Sequence, residues 1–127
     1  MAIVTMTETG NVPEPSYEGI TRIVLPAGAT ITGDMATAAS AAVIKAADGG
    51  RRPLMLVISG VSSITREART VYGGATVSTA IAVVGASPVD RVIGNFLLGG
   101  AAPACPNQFF CSEADALAWL ERYLDEQ

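Results

Sequence analysis

LMLVISGVSSITREAR, residues 54–69, is the segment with the clearest structural pattern in this 127-residue chain. Its first five residues are apolar and lie between Pro53 and Gly60, which is typical of a strand buried on both faces of a parallel sheet. A polar loop follows and ends at Thr65, a favoured helix N-cap, with Glu67 in the first turn, where the helix dipole favours negative charge. The segment therefore predicts a strand–loop–helix unit of an α/β sheet, and such sheets bind ligands beyond the carboxyl ends of their strands.

Strands and helices are predicted to alternate along the rest of the chain. The predicted strands cover residues 2–7 (at an edge of the sheet), 17–25, 54–58, 79–84 and 108–111, with 29–32 as a hairpin arm. The predicted helices cover about 33–48, 65–73, 88–98 and 113–124, with capping boxes at Ser87 and Ser112. We expect one domain over residues 1–127, in which 1–16 supply the edge strand and a loop. The predicted fold class is α/β, with a single central mixed, mostly parallel sheet of four to six strands covered by about four helices.

Apolar residues at helical spacing predict the buried face of each helix. The predicted buried sets are, in chain order, Met35, Ala39, Ala42, Val43 and Ala46; Ala68, Val71, Tyr72 and Ala75; Val89, Val92, Ile93, Phe96 and Leu97; and Ala116, Leu117, Leu120, Tyr123 and Leu124. The aromatic residues are expected to lie in the core, namely Tyr72, Phe96, Phe109, Phe110 and Trp119.

Composition excludes several classes of function. The net charge of −4 argues against nucleic-acid binding, which needs a basic surface. The chain has no histidine, the commonest general base and metal ligand, so we expect no metal, no cofactor and no enzymatic activity. Cys105 and Cys111 form no disulfide framework, and neither a signal peptide nor an apolar run of membrane-spanning length is found, which predicts a cytoplasmic protein.

Two segments carry a resemblance to a known family. Residues 57–64, VISGVSSI, run straight into a helix, and this arrangement resembles the STAS domains, the SpoIIAA-like superfamily that includes bacterial anti-sigma-factor antagonists. Residues 110–120, FCSEADALAWL, are similar to the end of small STAS-like bacterial proteins. The resemblance covers about residues 17–124 and implies the STAS-like fold and a regulatory or protein-interaction role. The wider superfamily is shared with CRAL-TRIO lipid-transfer domains.

The chain departs from the STAS pattern at the start of the second helix. STAS antagonists usually carry an Asp-Ser pair there, the serine being a kinase target, whereas this chain has Thr65 and Arg66. A phosphate at the missing serine would place about two negative charges at a helix N-terminus. Regulation by that route is therefore not expected, unless Thr65, Ser62 or Ser63 takes the place of the serine.

The candidate site consists of hydroxyls and arginines expected at the carboxyl edge of the sheet, where the strands end. Its residues are Ser62, Ser63, Thr65, Arg66, Arg69 and Arg91. Guanidinium groups and helix N-termini both favour an anion, so this group is predicted to bind a partner or a small anionic ligand. The alternative is that the arginines are solvated or pair with Glu67 and Asp90, two acids whose positions also suit helix capping.

One outward helix face is the best candidate for self-association. In the third helix Arg91, Gly94, Asn95 and Leu98 are predicted to face outward, and Gly94 would permit a close approach. We expect this face to form a homodimer contact.

Two functional hypotheses follow. The first is a non-enzymatic, STAS-like regulatory or protein-interaction module, homodimeric, that lacks the usual Asp-Ser phosphorylation motif and binds a protein partner through the carboxyl edge. The alternative is a binder of a nucleotide, a phosphorylated metabolite or a lipid at the same edge. Composition excludes nucleic acid as a partner, and the chain is expected to have no membrane-spanning segment.

Overall fold

The structure, a computed structural model, describes residues 2–5, 19–47, 49–73, 78–98 and 105–124. These residues form the strands β1 (Ala2–Thr5), β2 (Thr21–Val24), β3 (Thr30–Ile31), β4 (Arg52–Val57), β5 (Ser63–Ile64), β6 (Ser78–Val84) and β7 (Asn107–Phe110). They also form the helices α1 (Gly33–Ala47), α2 (Arg66–Gly73), α3 (Pro88–Leu98) and α4 (Glu113–Glu121).

Five of the strands form the central sheet, in the order β1-β2-β4-β6-β7. Each neighbouring pair within it is parallel. This confirms the predicted α/β class, with a strand number inside the expected range, four covering helices and β1 at the edge. The prediction allowed for a mixed sheet, whereas every pairing among the described strands is parallel. The predicted strand residues 6–7 and 17–18 lie outside the described residues.

The central position of β4 follows from its apolar sequence. Leu54, Leu56 and Ile58 face the core formed with α1, α2 and α3. Met55 and Val57 face the second core, which is formed with α4. All five residues are buried, as predicted, because a strand between two parallel neighbours has both faces covered.

The hairpin predicted for residues 29–32 is wrong. β3 instead pairs in parallel with β5, more than thirty residues along the chain, in a separate two-stranded sheet. The backbone N–H of Gly28 donates to the Gly60 carbonyl at 2.7 Å, and that of Ser62 donates to the Ala29 carbonyl at 2.8 Å. Gly60 has a φ of +79°, and a β-carbon there would lie 3.1 Å from the β-carbon of Ala27, so the turn requires glycine.

The predicted helix starts are confirmed where a hydroxyl caps them. Thr32, Thr65 and Ser112 each accept the backbone N–H of the residue three positions further on, at 3.3, 3.2 and 3.1 Å. At the end of α1, Gly49 has a φ of +83° and the Gly50 N–H donates to the Ala47 carbonyl at 2.9 Å. Local sequence therefore sets where the helices begin and where α1 ends.

The predicted buried faces are correct for α4 and partly wrong for α1. In α4, Ala116 and Leu120 are buried and Leu117 is half-buried. The helix ends at Glu121, three residues earlier than predicted, so Tyr123 and Leu124 are half-buried in the turn that follows it. In α1, the prediction is correct at Ala39 and Val43, whereas the remaining buried residues are Ala36 and Ala47. Alanines all round the helix leave no distinct apolar stripe, so the sequence pattern could not define the face.

The predicted face of α3 is wrong by about one residue position of rotation. Ile93 and Leu97 are buried as predicted, but Val89 is 60% exposed, Val92 68% and Phe96 37%. Asp90 and Gly94 occupy the buried face instead. The physical reason is tertiary, because the Asp90 carboxylate binds two loops and Gly94 lies directly beneath the Phe109 ring.

Among the described residues, α4 is the helix that covers the second face of the sheet, and an ion pair connects it to β2. The Nε of Arg22 donates to Oε1 of Glu113 at 2.8 Å, and its Nη2 donates to Oε2 at 2.9 Å. The Arg22 side chain is 9% exposed and that of Glu113 34%, so this bidentate pair is buried at the arginine and partly open to water at the carboxylate. Trp119 packs against Phe110 and Tyr123 with its ring tilted to both, at centroid distances of 5.5 and 5.0 Å, at the border of this core.

Candidate functional site

The carboxyl edge of the sheet is held together by one buried carboxylate. Asp90, in the first turn of α3, accepts the backbone N–H groups of Gly60 at 3.1 Å, Ala86 at 2.8 Å and Ser87 at 3.0 Å. The Asp90 N–H in turn donates to the Ser87 hydroxyl at 3.0 Å, which completes a capping box. The loop after β4 and the loop after β6 are therefore joined through a single side chain.

Hydrogen bonding outweighs burial in setting the charge of Asp90. Burial alone would raise the pKa of this carboxyl group, but the N–H groups of Ser87, Ala86 and Gly60, together with the Ser87 hydroxyl, hold the pKa below its usual range. The predicted capping role of Asp90 is confirmed. Glu67 lies on the other side of α2, against Gly33 of α1, and forms no carboxylate pair with Asp90.

The predicted hydroxyl residues interact mainly with their own part of the chain. Ser63 donates its hydroxyl hydrogen to the Thr30 hydroxyl at 3.1 Å, across the small β3–β5 sheet. Thr65 uses its hydroxyl oxygen to cap α2, and Ser62 binds Ala29 through its backbone N–H. Ser62 and Ser63 are exposed, and Thr65 is half-buried.

The three predicted arginines do not converge on one point. The Arg69 guanidinium lies 4.7 Å from the centroid of the Phe96 ring, on the side of α3 that faces α2. The Arg91 guanidinium lies 4.9 Å from the centroid of the Phe109 ring and donates to Sγ of Cys111 at 3.1 Å, on the side that faces β7. Residues 91 and 96 are about 140° apart around an α-helix, so the two arginines flank α3 on opposite sides.

Arg66 belongs to the same side as Arg69. The two residues are three positions apart on α2 and therefore lie along one stripe of that helix. Arg66 is exposed, whereas Arg69 is half-buried against Phe96. The structure thus groups two of the predicted arginines and separates the third.

The face predicted for a homodimer is interrupted. Arg91 and Asn95 are exposed as expected, but Gly94 is buried, and a β-carbon there would lie 2.5 Å from Cδ1 of Phe109. Leu98 is half-buried and packs against the core. Gly94 provides close approach to the protein's own Phe109 rather than to a second chain, while self-association itself stays a prediction.

The sequence reasoning missed an exposed apolar stripe, the α3 row, formed by Val89, Val92 and Phe96. These positions follow the i, i+3, i+7 spacing of one helix face. Together with Arg66 and Arg69 on one flank and Arg91 on the other, the row forms what we call the α2–α3 face. Gly94 was the signal that could have located the row, because a glycine inside a helix often marks the side that packs closely.

The described residues form neither a metal-binding cluster nor a membrane-spanning helix. Within the described ranges no group of three or more histidine, cysteine, aspartate or glutamate side chains could hold a metal ion. In that part of the chain no helix is long and apolar enough to cross a bilayer. Cys105 and Cys111 are free thiols, the first buried and the second exposed.

The parallel sheet with three helices on one face and α4 on the other defines a SpoIIAA-like α/β protein. A similar solved structure is an uncharacterized protein of the DUF3478 family with a SpoIIAA-like fold, from Shewanella loihica PV-4. It is 15% identical, with a TM-score of 0.51, and the match covers 72% of this chain and 78% of that one. At this identity the likeness shows the fold alone.

Residues 16–124 match the model of a family described as a domain of unknown function, DUF7793, and the chain belongs to that family. A protein with unknown function from Arthrobacter sp. FB24 is 42% identical, with a TM-score of 0.33, over 82% of this chain and 93% of that one. No curated protein matches the chain.

Proposed function

We propose that this chain is a non-enzymatic STAS-like interaction module of the cytoplasm that binds a regulatory partner protein through the α2–α3 face. The observation that carries the proposal is the α3 row. Large apolar side chains are exposed at four of the described positions, and three of these, Val89, Val92 and Phe96, lie side by side on one helix. A contiguous apolar patch with a polar border is typical of a protein-interaction surface.

The contacts that join α2 and α3 also favour binding. Asp90 joins the loops that lead into both helices, and Arg69 lies over Phe96 across the boundary between the helices. A surface held in one arrangement loses little conformational entropy when a partner binds. The face is therefore suited to recognition without a large rearrangement.

The predicted homodimer fits the α2–α3 face less well than a different partner does. Its predicted contact includes Gly94, which is buried, and Leu98, which is half-buried against the protein's own core. Small-ligand binding was predicted from converging arginines, and Arg69 and Arg91 lie on opposite flanks of α3. We therefore place the protein-interaction role ahead of both.

The test is quantitative capture of partners from the native host by the purified chain. Val92→Glu places a charge in the centre of the α3 row, while Ile44→Glu is the matched control, since Ile44 is 56% exposed on α1. We expect a bound protein that wild type and Ile44→Glu capture equally and that Val92→Glu loses about tenfold, because a buried charge removes about 1.4 kcal/mol or more of binding energy. Equal capture by all three proteins would contradict the proposal.

A further inference from the structure

We infer that the partner of the α2–α3 face is an acidic amphipathic helix, which places apolar side chains on the α3 row and carboxylates beside the exposed Arg66 and Arg91. The inference rests on the proposed function and adds the chemistry of the partner to it. Charge and geometry support it independently.

The charge of the α2–α3 face is opposite to that of the whole chain. The chain has a net charge of −4, yet the described side chains of α2 and α3 place Arg66, Arg69 and Arg91 around the row. Of the acids on these helices, Glu67 lies on the α1 side of α2, and Asp90 is buried with its carboxylate bound to backbone N–H groups. Neither of these two acids lies on the side of its helix that carries the α3 row, so α2 and α3 give the face a positive charge, which favours an acidic partner.

The spacing of the α3 row matches a helix. From Val89 to Phe96 is seven residue steps, or about 10 Å along α3, which is about two helical turns. A partner helix with apolar residues at i, i+3 or i+4 and i+7 covers the same length. Arg66 and Arg91 border the row on its two flanks. Carboxylates on either side of the partner's apolar stripe can therefore form an ion pair with an arginine.

A second copy of this chain is a poorer occupant. A twofold pairing of the α2–α3 face with itself brings the same arginine-bearing patch together from both chains. Like charges that face each other across an interface weaken it. The same arginines that disfavour self-pairing attract an acidic partner.

The experiment is selection of a displayed library of random helical peptides on the full chain. Selected peptides are then measured by fluorescence anisotropy against wild type, Val92→Glu, Arg66→Glu, Arg91→Glu and the control Ile44→Glu. We expect peptides rich in Asp and Glu with apolar residues at helical spacing, bound equally by wild type and Ile44→Glu. Affinity falls about two- to fivefold for each reversed arginine, and at least tenfold for Val92→Glu. Raising NaCl from about 50 to about 300 mM weakens the complex further.

Other outcomes overturn the inference in distinguishable ways. If the selected peptides are basic or uncharged, or if Arg66→Glu and Arg91→Glu do not change their affinity, the acidic partner is refuted. The proposed function still stands in that case if a host protein is captured by wild type and lost by Val92→Glu. Peptides that bind Val92→Glu as well as wild type, or no selected peptide at all, refute the helix-binding row. A wild-type dimer that Val92→Glu dissociates in sedimentation identifies a second copy as the occupant, and binding to phosphatidylserine vesicles alone identifies a lipid surface.

Discussion

Replacing Asp90 with alanine removes the group that connects the two loops at the carboxyl edge. The carboxylate accepts three backbone N–H groups, from Gly60, Ala86 and Ser87, and it is 3% exposed. Its loss leaves those donors without their partner and also removes half of the capping box of α3.

The cost can be approximated from the geometry. Hydrogen bonds to a charged group contribute about 1.5–3 kcal/mol each, but the donors belong to exposed loop residues that water reaches after the substitution. Loss of a helix cap costs about 0.5–2 kcal/mol. We therefore expect Asp90→Ala to lower the free energy of unfolding by about 2–4 kcal/mol, less than the sum of the separate bonds.

The assay is urea denaturation followed by circular dichroism near pH 7, with Asp115→Ala as the matched control. Asp115 is the third residue of α4, as Asp90 is of α3, but its side chain is exposed. The control should lose only about 0.3–1 kcal/mol, the usual effect of an acid near a helix N-terminus. If Asp90→Ala cost no more than Asp115→Ala, the connecting role assigned to the carboxylate would be wrong.

Three further predictions concern pH, packing and the buried ion pair. Because folding lowers the pKa of Asp90, the stability that its carboxylate contributes is present at neutral pH and is lost as pH falls below about 4. The difference in urea midpoint between wild type and Asp90→Asn should therefore shrink below that pH, and an unchanged difference would contradict this. Gly94→Ala should destabilise by about 1–3 kcal/mol, although alanine is the better helix former, since the new β-carbon meets Phe109; a rise in melting temperature would refute the close packing. Arg22→Ala should cost about 2–4 kcal/mol in the same denaturation assay because Glu113 then loses its bidentate partner, and a loss under about 0.5 kcal/mol would show that the pair contributes little.

Much of the fold can be predicted from local sequence. The apolar run 54–58 requires two covered faces, and the capping hydroxyls of Thr65, Ser87 and Ser112 start three helices where expected. Such signals act over a few residues, so they need no knowledge of the rest of the chain.

The errors arise where burial depends on distant residues. β3 pairs with β5 through contacts about thirty residues apart, which no local hairpin signal reveals. In α3, Asp90 is buried because Gly60 and Ala86 need its carboxylate, and this leaves Val89 and Val92 exposed. A polar residue at a helix start favours an exposed position on pattern alone, so the wrong face was predicted.

The sequence indicated which residues lie near the carboxyl edge, but not how their side chains are arranged. The expected edge and residues are present, but whether arginines converge depends on which side of α3 each one contacts. Phe96 and Phe109 decide that placement, and both had been expected simply as core residues. The properties of the α2–α3 face thus depend on how α3 is rotated about its axis as much as on which residues it contains.

The unequal cover of the sheet has a consequence for biosynthesis. Met55, Val57 and Val84 lie beneath α4, whose residues come after every strand of the described chain. On the ribosome, the strands can assemble while this apolar surface is still open to water, and it closes only when residues 113–121 leave the exit tunnel. Until then the nascent chain exposes an apolar, aggregation-prone surface of the kind that chaperones bind. A premature stop codon before Glu113 should therefore yield aggregates rather than a less stable folded protein.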